Sequence, residues 1–314
     1  MTVTDFIKAN DKFILMPHRN PDGDCLGSVT ALAYALRGIG KTAFVSLPDE
    51  PSDRLAYLWD EALRTPADFC AEACITVDVA SPDMLGDLRS VFEQFNKTAC
   101  IDHHATNGGF ATANLIKPHA AAAGEIVFEL IRDELCCELT EKICTNLYSA
   151  IVSDTGCFRY SNTTPHTHRI AASLMEHGAA ASAIIKRLFE TTTMKSLAVS
   201  AELINGARFF ENGLVCVMTA DYDMLSRYGM TFDMVDEFAS MPRTIEGVEV
   251  GVFLKVKSEN EVKISLRSNA YADVSAIAAA LGGGGHARAA GVTVNGSRDE
   301  AISKILAEIK KHLK

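Results

Sequence analysis

The densest group of side chains that could carry chemistry lies in the segment HRNPDGD, where His18, Asp22 and Asp24 fall within seven positions. Pro21 and Gly23 are turn residues, so one imidazole and two carboxylates can converge on a small volume. Carboxylates this close repel one another, and a divalent cation removes the repulsion. The segment therefore predicts a metal site, and the simpler alternative is an aspartate-rich turn that caps the following helix.

Polar side chains also stand at the ends of two further apolar runs and after a helical pattern. Asp78 ends the run ITVD, Asp102, His103 and His104 end ACIDHH, and Asp154 lies in AIVSDTG. Each group has a plain structural alternative: a carboxylate that caps a helix, two histidines satisfied at a strand end, or a hydrogen bond at a helix end. If all these alternatives held, several unrelated polar groups would end up at the same edge of the fold by coincidence. We therefore expect the groups to face one site.

The chemistry of this set is that of hard divalent cations. Six of these side chains acting as ligands would offer oxygen or nitrogen and no cysteine sulfur. Such a set suits Mn²⁺ or Mg²⁺, and suits Zn²⁺ less well. Six ligands are too many for one metal that must also keep a water molecule. Two metals about 3.5–4 Å apart, with one carboxylate bridging them, would use them all, and such pairs serve the hydrolysis of phosphoryl groups.

The runs that carry these groups are typical of buried parallel strands. Four runs are apolar nearly throughout and rich in β-branched or aromatic residues, as are strands covered on both faces. They lie at 12–18, 41–47, 73–80 and 98–104, with helical patterns at 24–38 and 83–95. The alternation predicts an α/β fold with a doubly wound parallel sheet. Ligands of such sheets bind at the carboxyl ends of the strands, where the polar groups stand.

Helices dominate the middle of the chain, and a second set of strands follows. The helical patterns lie at 122–135, 140–153, 166–177, 180–190 and, as a connector, 193–210. Alternating runs then predict a half-exposed sheet, with strands at 213–220, 248–256 and 261–268, a helix at 273–281, a further strand in GVTVNG and a helix at 299–313. We predict a catalytic metal-binding domain at 1–190, a helical connector at 191–212 and a smaller α+β substrate-binding domain at 213–314.

Composition excludes several classes of protein. A hydrophobic fraction of 48% and a charged fraction of 22% argue against disorder. No run approaches the roughly 20 apolar residues that cross a bilayer, and the N-terminal segment resembles no signal peptide, so we expect a cytoplasmic protein without a membrane partner. The net charge of −10 opposes binding of long duplex nucleic acid. Residues 247–314 nevertheless hold ten basic and seven acidic residues, a local excess that suits a small phosphorylated ligand.

A glycine run near the C-terminus could bind phosphate. Gly282 to Gly285 can adopt positive φ and let backbone N–H groups approach an anion closely. His286 and Arg288 follow the run, and the segment SLRS precedes it. The alternative is a flexible turn before a strand.

These segments together resemble a known family. HRNPDGDCLGS, TVDVA, IDHH and SDTGCFRYSNTT are similar, in order and character, to the four motifs of the DHH phosphoesterase family. SLRS and GGGGHARAAG resemble the substrate-binding domain associated with that family. The length and the two-domain layout resemble the branch of nanoRNases and 3′-phosphoadenosine 5′-phosphate (pAp) phosphatases, whose members are often labelled exopolyphosphatase-related. The resemblance extends over most of the chain.

The resemblance implies roles for individual residues. One metal would be held by His18, Asp22 and Asp78, and the other by Asp24, Asp78, His103 and Asp154, with Asp78 bridging. Asp102 would orient a neighbouring imidazole, and His104 would contact the scissile phosphate. Arg159 would add a phosphate contact unless it is a surface arginine. The implied substrate-binding residues of the second domain are Arg267, Ser268, Gly283, Gly284, Gly285, His286 and Arg288.

The expected activity is hydrolysis of short oligoribonucleotides to nucleoside monophosphates and of pAp to AMP, with two Mn²⁺ ions, or Mg²⁺ or Co²⁺, as cofactors. The second domain would hold the far end of the substrate across a cleft. A pyrophosphatase or exopolyphosphatase, a hydrolase of the linear dinucleotide pApA, and a non-catalytic nucleotide sensor remain as alternatives. Apolar positions on the connector are compatible with a homodimer.

Overall fold

The computed structural model describes the backbone of all 314 residues and every side chain except that of His286. The chain divides into two compact units, Met1–Thr191 and Thr192–Lys314. The strands of the first unit are β1 (Phe13–Met16), β2 (Ala43–Val45), β3 (Ala73–Val77), β4 (Thr98–Asp102) and β5 (Ala113–Ile116). Its helices are α1 (Val3–Ala9), α2 (Gly23–Gly38), α3 (Arg89–Phe92), α4 (Ala123–Glu129), α5 (Glu141–Asp154), α6 (Pro165–Glu176) and α7 (Ala181–Ile185).

The five strands form one parallel sheet, as the sequence predicts, in the order β2-β1-β3-β4-β5. Both faces of the sheet are covered. Phe13 and Leu15 of β1 pack into the larger core with the long helices, whereas Ile14 and Met16 pack into a smaller core on the other face. Burial on both faces explains why the strands are apolar without alternation.

The strand order reverses between β1 and β3, because β2 lies on one side of β1 and the later strands lie on the other. A crevice at the carboxyl ends of the strands is expected at such a reversal. The polar segments that follow β1 and β3 therefore meet there, and β4 is the next strand along.

One segment of the first unit differs from the predicted helix at 83–95. Pro82–Leu88 is a 3₁₀ helix, which is followed by the single turn of α3. Gly86 has φ of +58° and ψ of −129°, a conformation outside the helical region, so it interrupts the Pro82–Leu88 segment itself.

The second unit contains a six-stranded mixed sheet in the order β10-β11-β9-β8-β7-β6, in which only the β7–β8 pair is parallel. Its strands are β6 (Arg208–Phe210), β7 (Val215–Asp221), β8 (Val250–Ser258), β9 (Glu261–Ser268), β10 (Gly284–His286) and β11 (Ala289–Asn295). Its helices are α8 (Met194–Asn205), α9 (Tyr222–Arg227), α10 (Val274–Ala280) and α11 (Arg298–Ile309).

Two expectations for this unit are wrong in detail. The sheet is not half-exposed throughout, because β7 and β8 lie at its centre and have cores on both faces: Val217 packs on one side and Met218 on the other. The helix predicted over 193–210 ends at Asn205, and residues 208–210 form the edge strand β6. Residues 192–212 of the predicted connector lie in the second compact unit and Thr191 lies in the first, and the predicted domain limits stay a prediction.

Helix α8 exposes the apolar side chains of Met194, Leu197 and Ile204. They are spaced three and seven residues apart and share one face of the helix. Homodimerisation through this face stays a prediction. Among the described residues, no helix is long and apolar enough to cross a membrane. All nine cysteines are free thiols.

Candidate active site

The carboxyl edge of the first sheet brings the predicted catalytic residues together. Asp78 directly follows β3, Asp102 ends β4, and Asp154 ends α5. Asp24 lies in the first turn of α2, and His18 lies just beyond β1. Four segments distant in sequence thus deliver carboxylates and imidazoles to one place, as the sequence analysis expects.

Two glycines of the first motif allow this convergence. A Cβ on Gly23 would lie 2.5 Å from the Ser153 hydroxyl, beside Asp154. A Cβ on Gly27 would lie 2.5 Å from the Asn146 carbonyl oxygen of α5. Helices α2 and α5 can therefore approach closely enough to juxtapose their carboxylates only because these positions carry no side chain.

Asp78 lies at the centre of the cluster. Its Oδ1 is 3.5 Å from His103 Nε2 and 3.5 Å from His104 Nδ1, and its Oδ2 is 3.8 Å from His18 Nε2. The side chain is buried, and Oδ1 has no hydrogen-bond partner among the described residues. Asp78 also has φ of +59°, a left-handed conformation that aspartate tolerates better than most residues. A strained, buried carboxylate with an unsatisfied oxygen is typical of a functional residue.

Asp24 is held by backbone amides. Its carboxylate accepts hydrogen bonds from the N–H groups of Ala123 and Gly124, at 2.7 and 2.9 Å, where α4 begins. The Ser28 hydroxyl donates a third, at 3.1 Å. Its Oδ2 also lies 3.7 Å from His103 Nε2. The amides fix this buried carboxylate in orientation and favour its charged form.

His103 faces three carboxylates through one nitrogen. Its Nε2 lies 3.5–3.7 Å from oxygens of Asp24, Asp78 and Asp154. Its Nδ1 lies 3.2 Å from the Ala120 carbonyl oxygen, to which a protonated Nδ1 donates. That hydrogen bond leaves the Nε2 lone pair directed at the carboxylates, which is the arrangement of a metal-ligating histidine.

The carboxylates destabilise one another while no cation is present. Burial raises the pKa of Asp78 well above its usual range, and the charges of Asp24 and Asp22 raise it further. Burial also raises the pKa values of Asp24 and Asp154. Desolvation alone would lower the pKa of His103, but the charges of Asp24 and Asp154 outweigh it and raise that pKa. The cluster therefore favours bound protons or bound cations.

The donor set fits divalent metal. The ligating atoms of Asp24, His103 and Asp154 lie within 4.8 Å of one another, and so do those of Asp78, His103 and His104. Carboxylate oxygens and imidazole nitrogens are the donors that Mn²⁺ accepts. The unpartnered Oδ1 of Asp78 supplies a buried anionic oxygen that a cation would satisfy.

Asp22, which is predicted to bind metal, is also the N-cap residue of α2. Its Oδ1 accepts hydrogen bonds from the N–H groups of Asp24 and Cys25, both at 3.0 Å, and so caps α2. Its atoms are not among the described groups of converging ligand atoms, although its charge raises the pKa values of Asp24, Asp78 and Asp154. Its role as a metal ligand stays a prediction.

His104 is held differently from His103. Its Nδ1 lies 2.7 Å from Asp102 Oδ1 and donates to that carboxylate. Burial opposes ionisation of Asp102, but the hydrogen bonds from His104 and Asn107 outweigh it and lower the pKa of Asp102. Asp102 is thus an ionised, fully buried carboxylate that orients the His104 ring, as the resemblance implies.

Asn107 contacts Asp102 at the site, and the sequence analysis does not name it. Its Nδ2 donates to Asp102 Oδ2 at 2.7 Å and to the Val79 carbonyl oxygen at 3.1 Å. Its Oδ1 accepts from the Gly109 N–H at 2.8 Å. The asparagine therefore holds Asp102 from the side opposite His104. The only signal in the sequence is its position, three residues after His104.

Asn107→Ala should lower kcat by about 10- to 100-fold, because it frees the carboxylate that orients His104. Metal affinity should change little, since none of its hydrogen bonds reaches a predicted metal ligand. Steady-state kinetics and a metal titration test this. Asn114→Ala in β5 is the control, because among the described residues the Asn114 side chain bonds only to the backbone of Ala111. A loss of metal binding equal to the loss of kcat would contradict the assignment.

Cys25 also lies in the cluster, although it is not among the ligands predicted from the sequence. Its thiol donates to the Val77 carbonyl oxygen at 3.4 Å and accepts from the His18 N–H at 3.3 Å. Burial raises its pKa well above the usual range, so the thiol stays protonated and is a poor metal ligand. It ties the residues that precede Asp78 to the loop that carries His18.

Arg159 lies in a strained loop after Asp154. Gly156, Cys157 and Phe158 all have φ between +54° and +62°. Arg159 Nε donates to the Gly156 carbonyl oxygen at 2.6 Å, and its guanidinium lies 5.6 Å from the centre of the Phe189 ring. It is exposed. These contacts fix the arginine within the loop, and its role in phosphate binding stays a prediction.

In the second unit, the polar candidates gather around the end of β9. Arg288 Nη1 donates to the Ser268 hydroxyl at 3.3 Å and to the Ala272 carbonyl oxygen at 2.9 Å. Arg267 Nη1 donates to the Leu266 carbonyl oxygen at 2.9 Å. The structure thus brings Ser268 and Arg288 into contact. The side chain of His286 lies outside the described part of the chain.

Only the second half of the glycine run lies in a strand, because Gly284–His286 pair with β11 at the edge of the sheet. Gly282, which precedes the strand, and Gly285, which lies within it, have positive φ. A Cβ on Gly283 would lie 2.2 Å from the Gly291 carbonyl oxygen, so that glycine is needed for packing. A Cβ on Gly284 would meet no atom of the described residues within 4 Å. A Cβ on Gly285 would lie 2.5 Å from the Ala289 carbonyl oxygen, so the run combines two glycines required by packing, Gly283 and Gly285, with one, Gly284, that leaves the backbone open.

Comparison with known proteins agrees with these observations. The model of the DHH family, N-terminal domain, matches residues 12–151, and that of the DHHA1 domain matches residues 212–314. The bifunctional oligoribonuclease and PAP phosphatase NrnA of Thermus thermophilus is 32% identical over 99% of this chain and 93% of its own length. The protein with the same description in Bacillus subtilis is 27% identical over 97% and 95%. The crystal structure of an exopolyphosphatase-related protein from Bacteroides fragilis superposes with a TM-score of 0.90 at 21% identity, over 98% of this chain and 94% of that one.

Proposed function

Because the chain belongs to the DHH family of phosphoesterases, we propose that it hydrolyses short oligoribonucleotides to nucleoside monophosphates and pAp to AMP. The observation that carries the proposal is the buried cluster around Asp78, in which three carboxylates meet one nitrogen of His103. Relatives over nearly the full chain bear the name of an oligoribonuclease and PAP phosphatase.

The residues of the cluster divide the work between binding and chemistry. His18 and Asp78 would hold one cation with Asp22, and Asp24, Asp78, His103 and Asp154 would hold the other. Divalent cations bound there would polarise the phosphate and lower the pKa of water to near neutrality. The α4 amides keep Asp24 oriented, and Asp102 keeps the His104 ring in place to stabilise the negative charge that develops on the phosphate.

We propose Mn²⁺ as the favoured metal, with Mg²⁺ or Co²⁺ as substitutes. All the predicted ligands offer oxygen or imidazole nitrogen, a set that suits these ions. Zinc sites commonly use thiolates, and the nearby Cys25 is kept protonated by burial.

The second unit supplies donors for the substrate's phosphate. Arg267, Ser268 and Arg288 surround the end of β9, and Gly284 leaves the edge strand β10 open to approach. A site built from a few donors suits a short substrate better than a long polymer, which needs many phosphate contacts. Such a site recognises phosphate and not base sequence.

The proposal is tested by incubating the protein with Mn²⁺ and, separately, a set of two- to five-residue RNAs, pApA, pAp, pyrophosphate and polyphosphate. We expect nucleoside monophosphates from the RNAs and AMP with inorganic phosphate from pAp. Chelation should abolish both reactions. Consumption of pyrophosphate or polyphosphate without release of mononucleotides would overturn the proposal, and exclusive cleavage of pApA would narrow it to a linear dinucleotide hydrolase.

A further inference from the structure

The buried carboxylate of Glu249 holds the loop that follows β9. It accepts hydrogen bonds from three successive backbone N–H groups, those of Ala270 at 3.1 and 3.2 Å, Tyr271 at 2.7 Å and Ala272 at 2.7 Å. Only 5% of the residue is exposed. The Glu249 carbonyl oxygen accepts a further hydrogen bond from the Asn269 N–H at 3.0 Å. Every residue between β9 and the N-cap of α10 is therefore fixed by one glutamate.

This loop in turn orients Arg288. The Ala272 carbonyl oxygen accepts from Arg288 Nη1 at 2.9 Å, and the same nitrogen donates to the Ser268 hydroxyl at 3.3 Å. Ser268 is the residue directly before the loop, and its N–H donates to the Arg288 carbonyl oxygen at 3.2 Å. The position of the guanidinium thus depends on the same short segment that Glu249 holds.

We infer that Glu249 is a positioning residue for substrate binding, which acts by holding the 269–272 loop so that Arg288 and Ser268 face the substrate's phosphate. The inference rests on the proposed function, because it requires Arg288 to contact substrate. The physical reason is that a carboxylate accepts several N–H groups at once through strong charge-assisted bonds. A glutamine side chain offers one acceptor oxygen, and its NH₂ group would place a donor against the Ala270 N–H, which now donates to Oε2 at 3.1 Å.

The test is a double-mutant cycle in the full-length protein with Mn²⁺ and a dinucleotide or pAp. Glu249→Gln should raise KM by about tenfold or more, as the loss of charge-assisted hydrogen bonds that place Arg288 predicts, with kcat nearly unchanged. Hydrolysis of bis(p-nitrophenyl) phosphate, a diester without a nucleoside, should be unaltered. Glu249→Asp, which keeps the anion, should restore part of the affinity.

The cycle separates positioning from a purely structural role. If Glu249 acts through Arg288, the double variant Glu249→Gln, Arg288→Ala should have the same KM as Arg288→Ala alone. The inference is overturned if the increase in KM of the double variant is the product of the increases in the two single variants. It is also overturned if Arg288→Ala raises KM and Glu249→Gln does not. If Arg288→Ala leaves KM unchanged, the proposed substrate role of this surface is wrong, and the inference falls with it.

A control variant and an unfolding measurement distinguish a loss of positioning from a loss of folding. Glu261 lies on the neighbouring strand β9, and its Oε1 is 3.6 Å from Lys257 Nζ at the surface. The control variant Glu261→Gln should therefore leave KM unchanged. Thermal unfolding of each variant shows whether the second unit is intact. If Glu249→Gln does not fold, Glu249→Asp carries the same cycle with Arg288→Ala, and additive effects there contradict the inference.

Discussion

Asp78→Asn should reduce hydrolysis of short RNA by at least about a thousandfold, because it removes the one carboxylate that faces His18, His103 and His104 together. Asparagine is the sharpest replacement. It is nearly isosteric with aspartate and, like aspartate, tolerates the φ of +59° at this position, whereas alanine would add backbone strain. The loss can then be attributed to the missing charge.

Stability and binding should separate this effect from unfolding. Burial and neighbouring carboxylates disfavour the Asp78 charge in the absence of a cation, so the metal-free variant should unfold at no lower temperature than the wild type. The stabilisation that Mn²⁺ gives to the wild type should be lost. Exposed Asp87, which follows the same strand, gives the control variant Asp87→Asn.

The same variant distinguishes a hydrolase from a nucleotide sensor. Binding of pAp through donors of the second unit should largely survive in Asp78→Asn, since those donors lie in a separate compact unit. Retention of hydrolysis within tenfold of the wild type would contradict the central role of Asp78. Loss of nucleotide binding without loss of metal binding would contradict the division of work between the two units.

The sequence predicts the catalytic sheet well for a physical reason. Strands buried on both faces must be apolar throughout, so polar residues that end them, such as Asp78 and Asp102, are conspicuous. The carboxyl ends of parallel strands share one edge, and this places residues distant in sequence together without knowledge of side-chain packing. The second sheet is harder to predict from the sequence. Its central strands β7 and β8 are buried on both faces, whereas β9 alternates between buried positions and partly or fully exposed ones, although all three strands have similar composition.

Residues that act through another residue could not be predicted in this way. Asn107 and Glu249 are ordinary polar residues in sequence, and only the packed structure shows which groups they hold. Asp22 is the opposite case, a residue that the sequence singles out but whose role it leaves open. Its carboxylate could cap a helix or bind a metal, and the structure shows the cap. From the sequence, Gly23 is only a turn residue, but in the structure its lack of a side chain also leaves room for Ser153, next to Asp154.

The adjacent pair His103 and His104 provides the second large effect. Substitution of either by alanine should abolish most activity, but for different reasons. His103→Ala removes a nitrogen that lies within 3.7 Å of three carboxylates. Since changes behind a metal ligand cost about 10- to 100-fold in affinity, loss of the ligand itself should cost at least about 100-fold in metal affinity.

His104→Ala should leave metal affinity within a few-fold of the wild type and lower kcat by about 10²- to 10³-fold, the magnitude that follows removal of one group that stabilises developing charge. The reason is that His104 Nδ1 is engaged by Asp102 at 2.7 Å, whereas its distance to Asp78 is 3.5 Å. Calorimetric titration with Mn²⁺ and single-turnover hydrolysis measure the two effects independently. His104 also belongs to a group of possible ligands with Asp78 and His103. Equal loss of metal affinity in both variants would therefore show that His104 is itself a ligand, and would contradict its role in stabilising the transition state.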